Sequence, residues 1–222
     1  MSTDPAPTES RDDLPGVERL LTLTDGVVAI AITLLVLQLN VPPPTNTDST
    51  SASELARQLG NGGDQLISYV ISFYVIAQFW LVHHRVFRRI AGQQEGLAWW
   101  NFAFLFTITV MPFTSDLLGK YSANPLAIDI FAFNLLAATL ATQLTVVFVR
   151  RNNLLIAGTD EREMRAARLR VAAAVFIIVL SIGLAWVNTD VAKYCWLLLG
   201  VAPAAADRWS RRHAPDETSP GA

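Results

Sequence analysis

The chain has 222 residues, of which 52% are hydrophobic and only 16% are charged. Ordinary soluble domains carry roughly 25% charged residues, so the composition argues against a soluble enzyme and for an integral membrane protein. The net charge of -2 gives no electrostatic reason to expect a nucleic-acid partner. The single cysteine, Cys195, excludes a disulfide framework and a cysteine zinc site.

Six apolar runs along the chain are candidates for membrane-spanning helices, which need about 20 mostly apolar residues each. The runs are continuous and do not alternate in the way that barrel strands do. We therefore predict an all-α, polytopic membrane protein with six transmembrane helices. In chain order the predicted spans are 20–39, 66–86, 97–118, 126–149, 166–187 and a shorter one at 191–206.

The segments outside these spans are polar. Residues 1–16 are acidic and proline-containing and lack the pattern of a signal peptide, so they are predicted to form a disordered tail. Residues 208–222 are predicted to form a second disordered tail, which leaves 17–207 as the membrane domain. The loop 41–63 contains three consecutive prolines, and a short helix is expected at 53–59.

The basic residues are distributed unevenly between the two sides of the predicted membrane domain. Fourteen of the 17 lysines and arginines lie in the N-terminus, in the loops after spans two and four, and in the C-terminus. The other side carries Arg57, Lys120 and Lys193. Because cytoplasmic loops retain positive charge, both termini are expected to be cytoplasmic, in a protein of the cell membrane.

A few polar side chains interrupt the apolar spans. Asp25 lies about five residues into the first span, and Arg19 precedes it by six positions, while His83 and His84 lie near the same side of the second span. Because ionisable groups inside a membrane are costly and usually functional, we expect a buried network, with Asp25 as a candidate acceptor for the indole of Trp80. A structural clamp and a role in ion passage both remain open. Adjacent histidines point about 100° apart on a helix, which disfavours metal binding.

The first span carries a stripe at helical spacing, formed by Gly26, Ile30, Thr33 and Leu37. Such a stripe is compatible with lipid contact, with helix packing, or with packing against copies of the same helix. Motifs of soluble catalysis are missing, including a phosphate-binding glycine loop, H-E-x-x-H and a nucleophile elbow. We therefore predict neither an enzyme nor a cofactor.

The sequence from Arg19 to Leu37, RLLTLTDGVVAIAITLLVL, resembles the first helix of the endolysosomal-type (transmembrane protein 175-like) potassium channel family in its short bacterial form. The family pattern is R-x-x-x-F-S-D-G-V-x-A-I-A-x-T-L-L-x-L, from which this chain departs at Leu23 and Thr24. Thr24 keeps the hydroxyl group of the family serine, whereas Leu23 loses the aromatic ring. The resemblance continues by motif to Tyr121, through Trp80, the two histidines and the Pro112-Phe113-Thr114 sequence.

The resemblance implies a homotetramer in which four copies of the first helix line a potassium-permeable pore. By the family pattern, Ile30 forms the hydrophobic constriction, Thr33 the hydroxyl ring where potassium binds transiently, and Leu37 the next apolar layer, with Leu34 beside them. Potassium, membrane lipid and further copies of the chain are the expected partners. Some members of that family also pass protons, so proton flux remains open. The network expected to hold the pore helix consists of Arg19, Thr24, Asp25, Trp80 and either His83 or His84.

Two other functions remain compatible with the sequence. A cation- or proton-coupled secondary transporter would use Asp25 as its ion site and would have a broken helix near the midplane of the membrane. A membrane scaffold that transports nothing would use Asp25 only to hold the fold together.

Overall fold

The computed structural model describes residues 15–40, 52–92, 94–155 and 161–200. Within these ranges the chain forms seven helices and one isolated β-bridge, between Ile90 and Leu155. The helices are α1 (Pro15–Val36), α2 (Ala52–Asn61), α3 (Gly63–Phe87), α4 (Glu95–Lys120), α5 (Pro125–Arg151), α6 (Glu161–Ala185) and α7 (Thr189–Cys195).

Five of these helices are long and apolar enough to cross a membrane, and they coincide with the first five predicted spans. The prediction of an all-α, multi-pass membrane protein is therefore confirmed. The sixth predicted span begins with α7, which ends after only seven residues and is followed by a turn at Trp196 and Leu197. Its last predicted part, 201–206, lies outside the described residues.

The segments between the spans match the sequence predictions where the structure describes them. The helix expected at 53–59 is α2, which is slightly longer at both ends. Most of the predicted N-terminal tail and all of the C-terminal tail lie outside the described residues. Helix α1 begins at Pro15, so the last two residues of the predicted N-terminal tail belong to the helix. Proline suits the first helical position, where its missing N–H costs no hydrogen bond.

Asparagine side chains cap the N-termini of two helices. The Asn124 side chain accepts a hydrogen bond from the backbone N–H of Leu126 at 3.0 Å, and Pro125 follows it as the first residue of α5. The Asn188 side chain accepts from the N–H groups of Asp190 and Val191 at the start of α7. These caps satisfy backbone donors that a helix start leaves without partners, and so they fix the turns before α5 and α7.

Helix α4 lies at the centre of the bundle, where it packs against α1, α3 and α5, while α6 and α7 pack against α5 and against each other. The core between α4 and α5 is built from fully buried large side chains, among them Phe104, Ile108, Phe131 and Leu135. A smaller apolar cluster closes the end at which α1 begins and α3 and α5 finish. We call this end the basic end, because most of the described arginines lie there.

Pro112 lies inside α4, yet the helix continues through it from Glu95 to Lys120. From the sequence, a proline inside the third predicted span is expected to kink or end the helix, and Thr109 is expected to bond the carbonyl that the proline frees. The helix does not end there. The Thr109 hydroxyl instead donates to the carbonyl of Phe106 at 2.8 Å, whereas the carbonyl that a proline deprives of its donor is four residues earlier, at Ile108.

Candidate functional site

Helix α1 buries one face and leaves the opposite face uncovered. Val28, Ala31 and Leu35 are almost fully buried against the bundle. In contrast, 60% of the surface of Ile30 and 72% of that of Leu37 are exposed. Gly26 and Thr33 are exposed as well, so the predicted stripe lies on the uncovered face of α1 up to Thr33, and Leu37 continues it in the turn just after the helix. Leu34 flanks the stripe and is also exposed.

Thr33 is the only predicted stripe residue with a polar side chain. Its hydroxyl donates to the carbonyl of Ile30 in the same helix at 2.8 Å. A hydroxyl has one hydrogen and two acceptor lone pairs, so this bond uses the donor and leaves the oxygen able to accept from or coordinate another group. The exposed face of α1 therefore offers one uncharged oxygen ligand among apolar side chains.

Towards the basic end, α1 is joined to α3 through Asp25. The indole Nε1–H of Trp80 donates to Asp25 Oδ1 at 2.7 Å, which gives Trp80 the acceptor that it was expected to need. The His84 ring lies against the Trp80 ring with a centroid distance of 5.4 Å. The Asp25 carboxylate is thus held at the side of α1 that faces α3.

A second, fully buried contact joins α1, α3 and α4 through Asn101. Its side-chain oxygen accepts from the hydroxyl of Thr24 at 3.1 Å and lies 2.8 Å from Nε2 of His83. A bond to this oxygen requires the proton of the His83 ring to be on Nε2. The His83 ring is stacked between Phe87 and Phe104, at centroid distances of 4.2 and 4.4 Å. His83 therefore contacts Asn101, while His84 contacts Trp80.

The expectation that Arg19 joins this network is not met by the structure. Arg19 is exposed, and among the described residues no ion pair connects it with Asp25. The reason lies in helix geometry: positions six residues apart differ in direction by about 120° and in height by about 9 Å. The two side chains therefore leave α1 on different faces.

Three further hydrogen bonds hold the opposite end of the same three helices. The Gln38 side chain donates to the carbonyl of Pro112 in α4. The backbone N–H of Asn40 donates to the Gln65 side chain of α3 at 3.3 Å. The Ser72 hydroxyl of α3 donates to the Ser115 hydroxyl of α4 at 2.8 Å. The exposed stripe of α1 is consequently carried by a helix that is fixed at both ends and along its buried face.

Asn101 and Gln38 are site residues that the sequence reasoning did not place in the network. An asparagine or glutamine within an apolar run indicates a hydrogen bond between helices, and Asn101 carries that signal inside the third span. Gln38 lies just past the motif that identified the first helix. The pattern of one helix does not reveal which partner such an amide will find, since that depends on how the neighbouring helices pack.

The comparisons with known proteins identify the family. The family model described as the endosomal/lysosomal potassium channel TMEM175 matches residues 19–112. A potassium channel from Streptomyces collinus is 31% identical over 175 residues, which are 77% of this chain and 82% of that protein. The chain belongs to the TMEM175 family. Members of the TMEM175 family are ion channels, not enzymes.

Other TMEM175 relatives match over shorter lengths. A potassium channel from Chamaesiphon minutus is 34% identical over 109 residues, which are 49% of this chain and 52% of that one. The endosomal/lysosomal proton channel TMEM175 of Rattus norvegicus is 28% identical over 111 residues, 22% of its length. The fold is that of a crystallised lysosomal potassium-selective channel TMEM175 homolog from Chamaesiphon minutus, with a TM-score of 0.71 at 24% identity, over 89% of this chain and 98% of that one.

Proposed function

We propose that this protein is a potassium-permeable channel of the cell membrane, in which α1 helices from four copies line a central pore. The observation that carries the proposal is the uncovered face of α1, on which Gly26, Ile30, Thr33 and Leu37 lie opposite the packed side. Membership of the TMEM175 family supports it, and its bacterial relatives from Streptomyces collinus and Chamaesiphon minutus are named as potassium channels.

The arrangement of α1 within one protomer favours assembly of several copies. A single helix cannot enclose an ion path, and in this protomer α3 and α4 cover only one side of α1. Closed rotational symmetry would bring the uncovered faces together around an axis. Four copies are the number that the family resemblance implies, and the pore is incomplete with fewer.

The proposed gate is a ring of four Ile30 side chains. A narrow apolar ring disfavours water and ions, so it can close by dewetting without a moving plug. Leu34 and Leu37 would extend the apolar lining by about one to two helical turns beyond this ring. Opening then requires only that the α1 helices separate or rotate enough to wet the constriction.

The proposed ion ligands are four Thr33 hydroxyl oxygens, one helical turn from Ile30. The bond from Thr33 to the Ile30 carbonyl directs the hydroxyl hydrogen into the helix, which leaves the oxygen for a cation. Uncharged oxygens bind weakly, so the ring should favour potassium moderately, since potassium loses its water at a lower cost than sodium does. Proton permeability is a further proposal, supported by the name of the rat relative.

The proposed orientation places the basic end in the cytoplasm, together with both termini. Ten of the described basic residues lie at that end and three at the other, which is the distribution that the positive-inside rule predicts. Protease accessibility of tags at the two termini, in sealed cells and in inverted vesicles, tests this orientation directly.

The gate is tested by potassium flux from liposomes that contain the purified full-length protein. Ile30→Asn should increase the flux, because an amide ring holds water where an isoleucine ring excludes it. Val179→Asn is the matched control, since Val179 is a branched aliphatic residue on α6 that is 52% exposed in the protomer. An unchanged flux in Ile30→Asn, or an equal increase in the control, would refute the gate assignment.

The threonine ring is tested with two substitutions of opposite character. Thr33→Val keeps the shape of the side chain but removes its oxygen, so the preference for potassium over sodium should fall. Thr33→Ser keeps the oxygen and should retain most of that preference. If both variants keep the selectivity of the parent protein, Thr33 is not an ion ligand.

The assembly is tested by cysteine crosslinking in a Cys195→Ser background, which removes the native thiol. A cysteine introduced by Leu37→Cys should crosslink copies to one another near the symmetry axis, whereas Leu169→Cys on α6 should not. Recovery of monomers alone would contradict the pore. Potassium flux that saturates and requires a second ion would instead indicate coupled transport. The five described spans contain no helix break of the kind that transporters use.

A further inference from the structure

The basic end of the bundle carries a concentration of exposed arginines that ion conduction through α1 does not use. Carboxylates also lie at this end: Glu18 and Asp25 on α1, and Glu95, Glu161 and Glu163 at the starts of α4 and α6. Asp25 is bonded to Trp80. The ten described arginines at this end outnumber these five carboxylates. The exposed arginines are contributed by four helices and their adjoining turns: Arg19, Arg85, Arg88, Arg89, Arg150, Arg151 and Arg168.

Four of these arginines lie next to a clip that joins the turns after α3 and α5. Ile90 pairs with Leu155 in an antiparallel β-bridge, and the N–H of Ala91 donates to the carbonyl of Leu154 at 2.8 Å. The bridge connects the turn after α3 with the turn after α5. We call Arg88, Arg89, Arg150 and Arg151 the α3–α5 arginine cluster, because they lie on the helix ends that this clip holds together.

The clip is a fixed part of the structure. Ile90 is buried, and it packs in the apolar cluster with Phe87, Leu97 and Val149. The second turn passes through Asn153, whose φ of 54° lies in the left-handed region that asparagine tolerates better than most residues. The arginines are thus displayed on a scaffold with little freedom, which reduces the entropy lost when a ligand is bound.

The position of the cluster at the membrane surface indicates which kind of ligand it can bind. Both α3 and α5 are membrane spans, so residues at their ends lie at the level of the lipid phosphates. Trp99 is 76% exposed in the first turns of α4 at the same end, as an aromatic interface anchor would be. Guanidinium groups bind phosphate oxygens with a planar fork of donors.

We propose that the α3–α5 arginine cluster binds the headgroup phosphate of an anionic phospholipid in the adjoining leaflet. The lipid would bridge the ends of α3 and α5 on the outside of the clip and so stabilise this end of the bundle. The positive-inside rule alone accounts for arginines on this side, but it does not require that the two arginine-bearing helix ends be bridged to each other. The proposal does not depend on ion conduction.

The test uses the full-length protein in a neutral detergent, with thermal unfolding and native mass spectrometry as readouts. Phosphatidylglycerol should raise the melting temperature and remain bound, while phosphatidylcholine should do so much less. In the Arg88→Gln/Arg151→Gln variant the apparent affinity for phosphatidylglycerol should fall by about tenfold or more. The Arg57→Gln/Lys120→Gln variant removes the same charge from the other end and should bind as the parent does.

Several outcomes would overturn the proposal. Equal effects of the two lipids on the parent protein would mean that no anionic headgroup site exists, and an unchanged response of the Arg88→Gln/Arg151→Gln variant would place the lipid elsewhere. If sodium phosphate at a similar concentration raises the melting temperature as much as phosphatidylglycerol does, the cluster is a site for small anions and not for a lipid. An Arg88→Lys/Arg151→Lys variant that keeps the charge but binds more weakly would support the fork geometry. None of these readouts involves flux, so they stay valid if the channel proposal fails.

Discussion

The hydrogen bond between Trp80 and Asp25 is predicted to be a main energetic link between α1 and α3. Its donor and acceptor are 2.7 Å apart, which is typical of a bond to a charged group. Trp80→Phe keeps an aromatic ring against His84 but removes the N–H donor. Asp25→Leu keeps a side chain of similar size but removes the acceptor.

The size of the effect follows from the character of this bond. A hydrogen bond to a charged group contributes about 1.5–3 kcal/mol to stability. Asp25 is exposed in the isolated protomer, so the lower end of that range applies, at about 1.5 kcal/mol. For a chain of this size each kcal/mol moves the melting temperature by about 2–4 °C, so the bond should account for about 3–6 °C.

The assay is thermal unfolding of purified protein, followed by the loss of the folded peak in size-exclusion chromatography. The two single variants and the double variant form a mutant cycle, which separates the bond from the packing lost with each side chain. The double variant should lose less stability than the sum of the two single losses. Trp99→Phe is the matched control: no hydrogen bond of its indole is found in the described residues, so it should change stability by less than about 0.5 kcal/mol. If the double variant loses as much stability as the two single variants added together, the hydrogen bond between Trp80 and Asp25 contributes nothing and the prediction is wrong.

The same unfolding assay checks two packing predictions. Asn101→Leu should cost more than Trp80→Phe, because it leaves the buried Nε2–H of His83 without its acceptor, at about 1–3 kcal/mol for each unsatisfied group. Gly96→Ala should cost about 1–3 kcal/mol by overpacking, since a Cβ there would lie 2.5 Å from the Phe148 ring. Gly183→Ala on α6 meets no atom within 4 Å and should be neutral or stabilising, so an equal loss in both glycine variants would contradict the packing argument.

Five of the six predicted spans and the exposed face of α1 could be predicted from the sequence because both are properties of single segments. Hydropathy over about 20 residues identifies a span whatever its neighbours are. The spacing of Gly26, Ile30, Thr33 and Leu37 defines one helix face in the same way, and the structure leaves that face uncovered. The expectation of a tetramer, in contrast, came only from the family resemblance.

The contacts between helices were harder to predict because they depend on relative height and rotation. Trp80 and Asp25 could be paired because both are isolated polar groups near the same membrane side. Asn101 could not be assigned to His83 and Thr24 without knowing how α4 packs against α1 and α3. Arg19 was placed in the network because it is close to Asp25 in sequence. The two side chains nevertheless point in different directions from α1, so they do not meet.

The distribution of polarity around α1 indicates that the Asp25 network and the proposed ion path have separate tasks. Asp25 leaves α1 towards α3 and is bonded to Trp80, whereas the uncovered stripe carries no ionisable group. A fixed carboxylate in a narrow pore would hold a cation strongly, and conduction requires that each site release the ion again. A path of isoleucine, threonine and leucine avoids that problem, and the carboxylate remains available to hold the helix. It follows that substitutions at Asp25 should reduce stability and assembly before they alter selectivity, while substitutions at Thr33 should do the reverse.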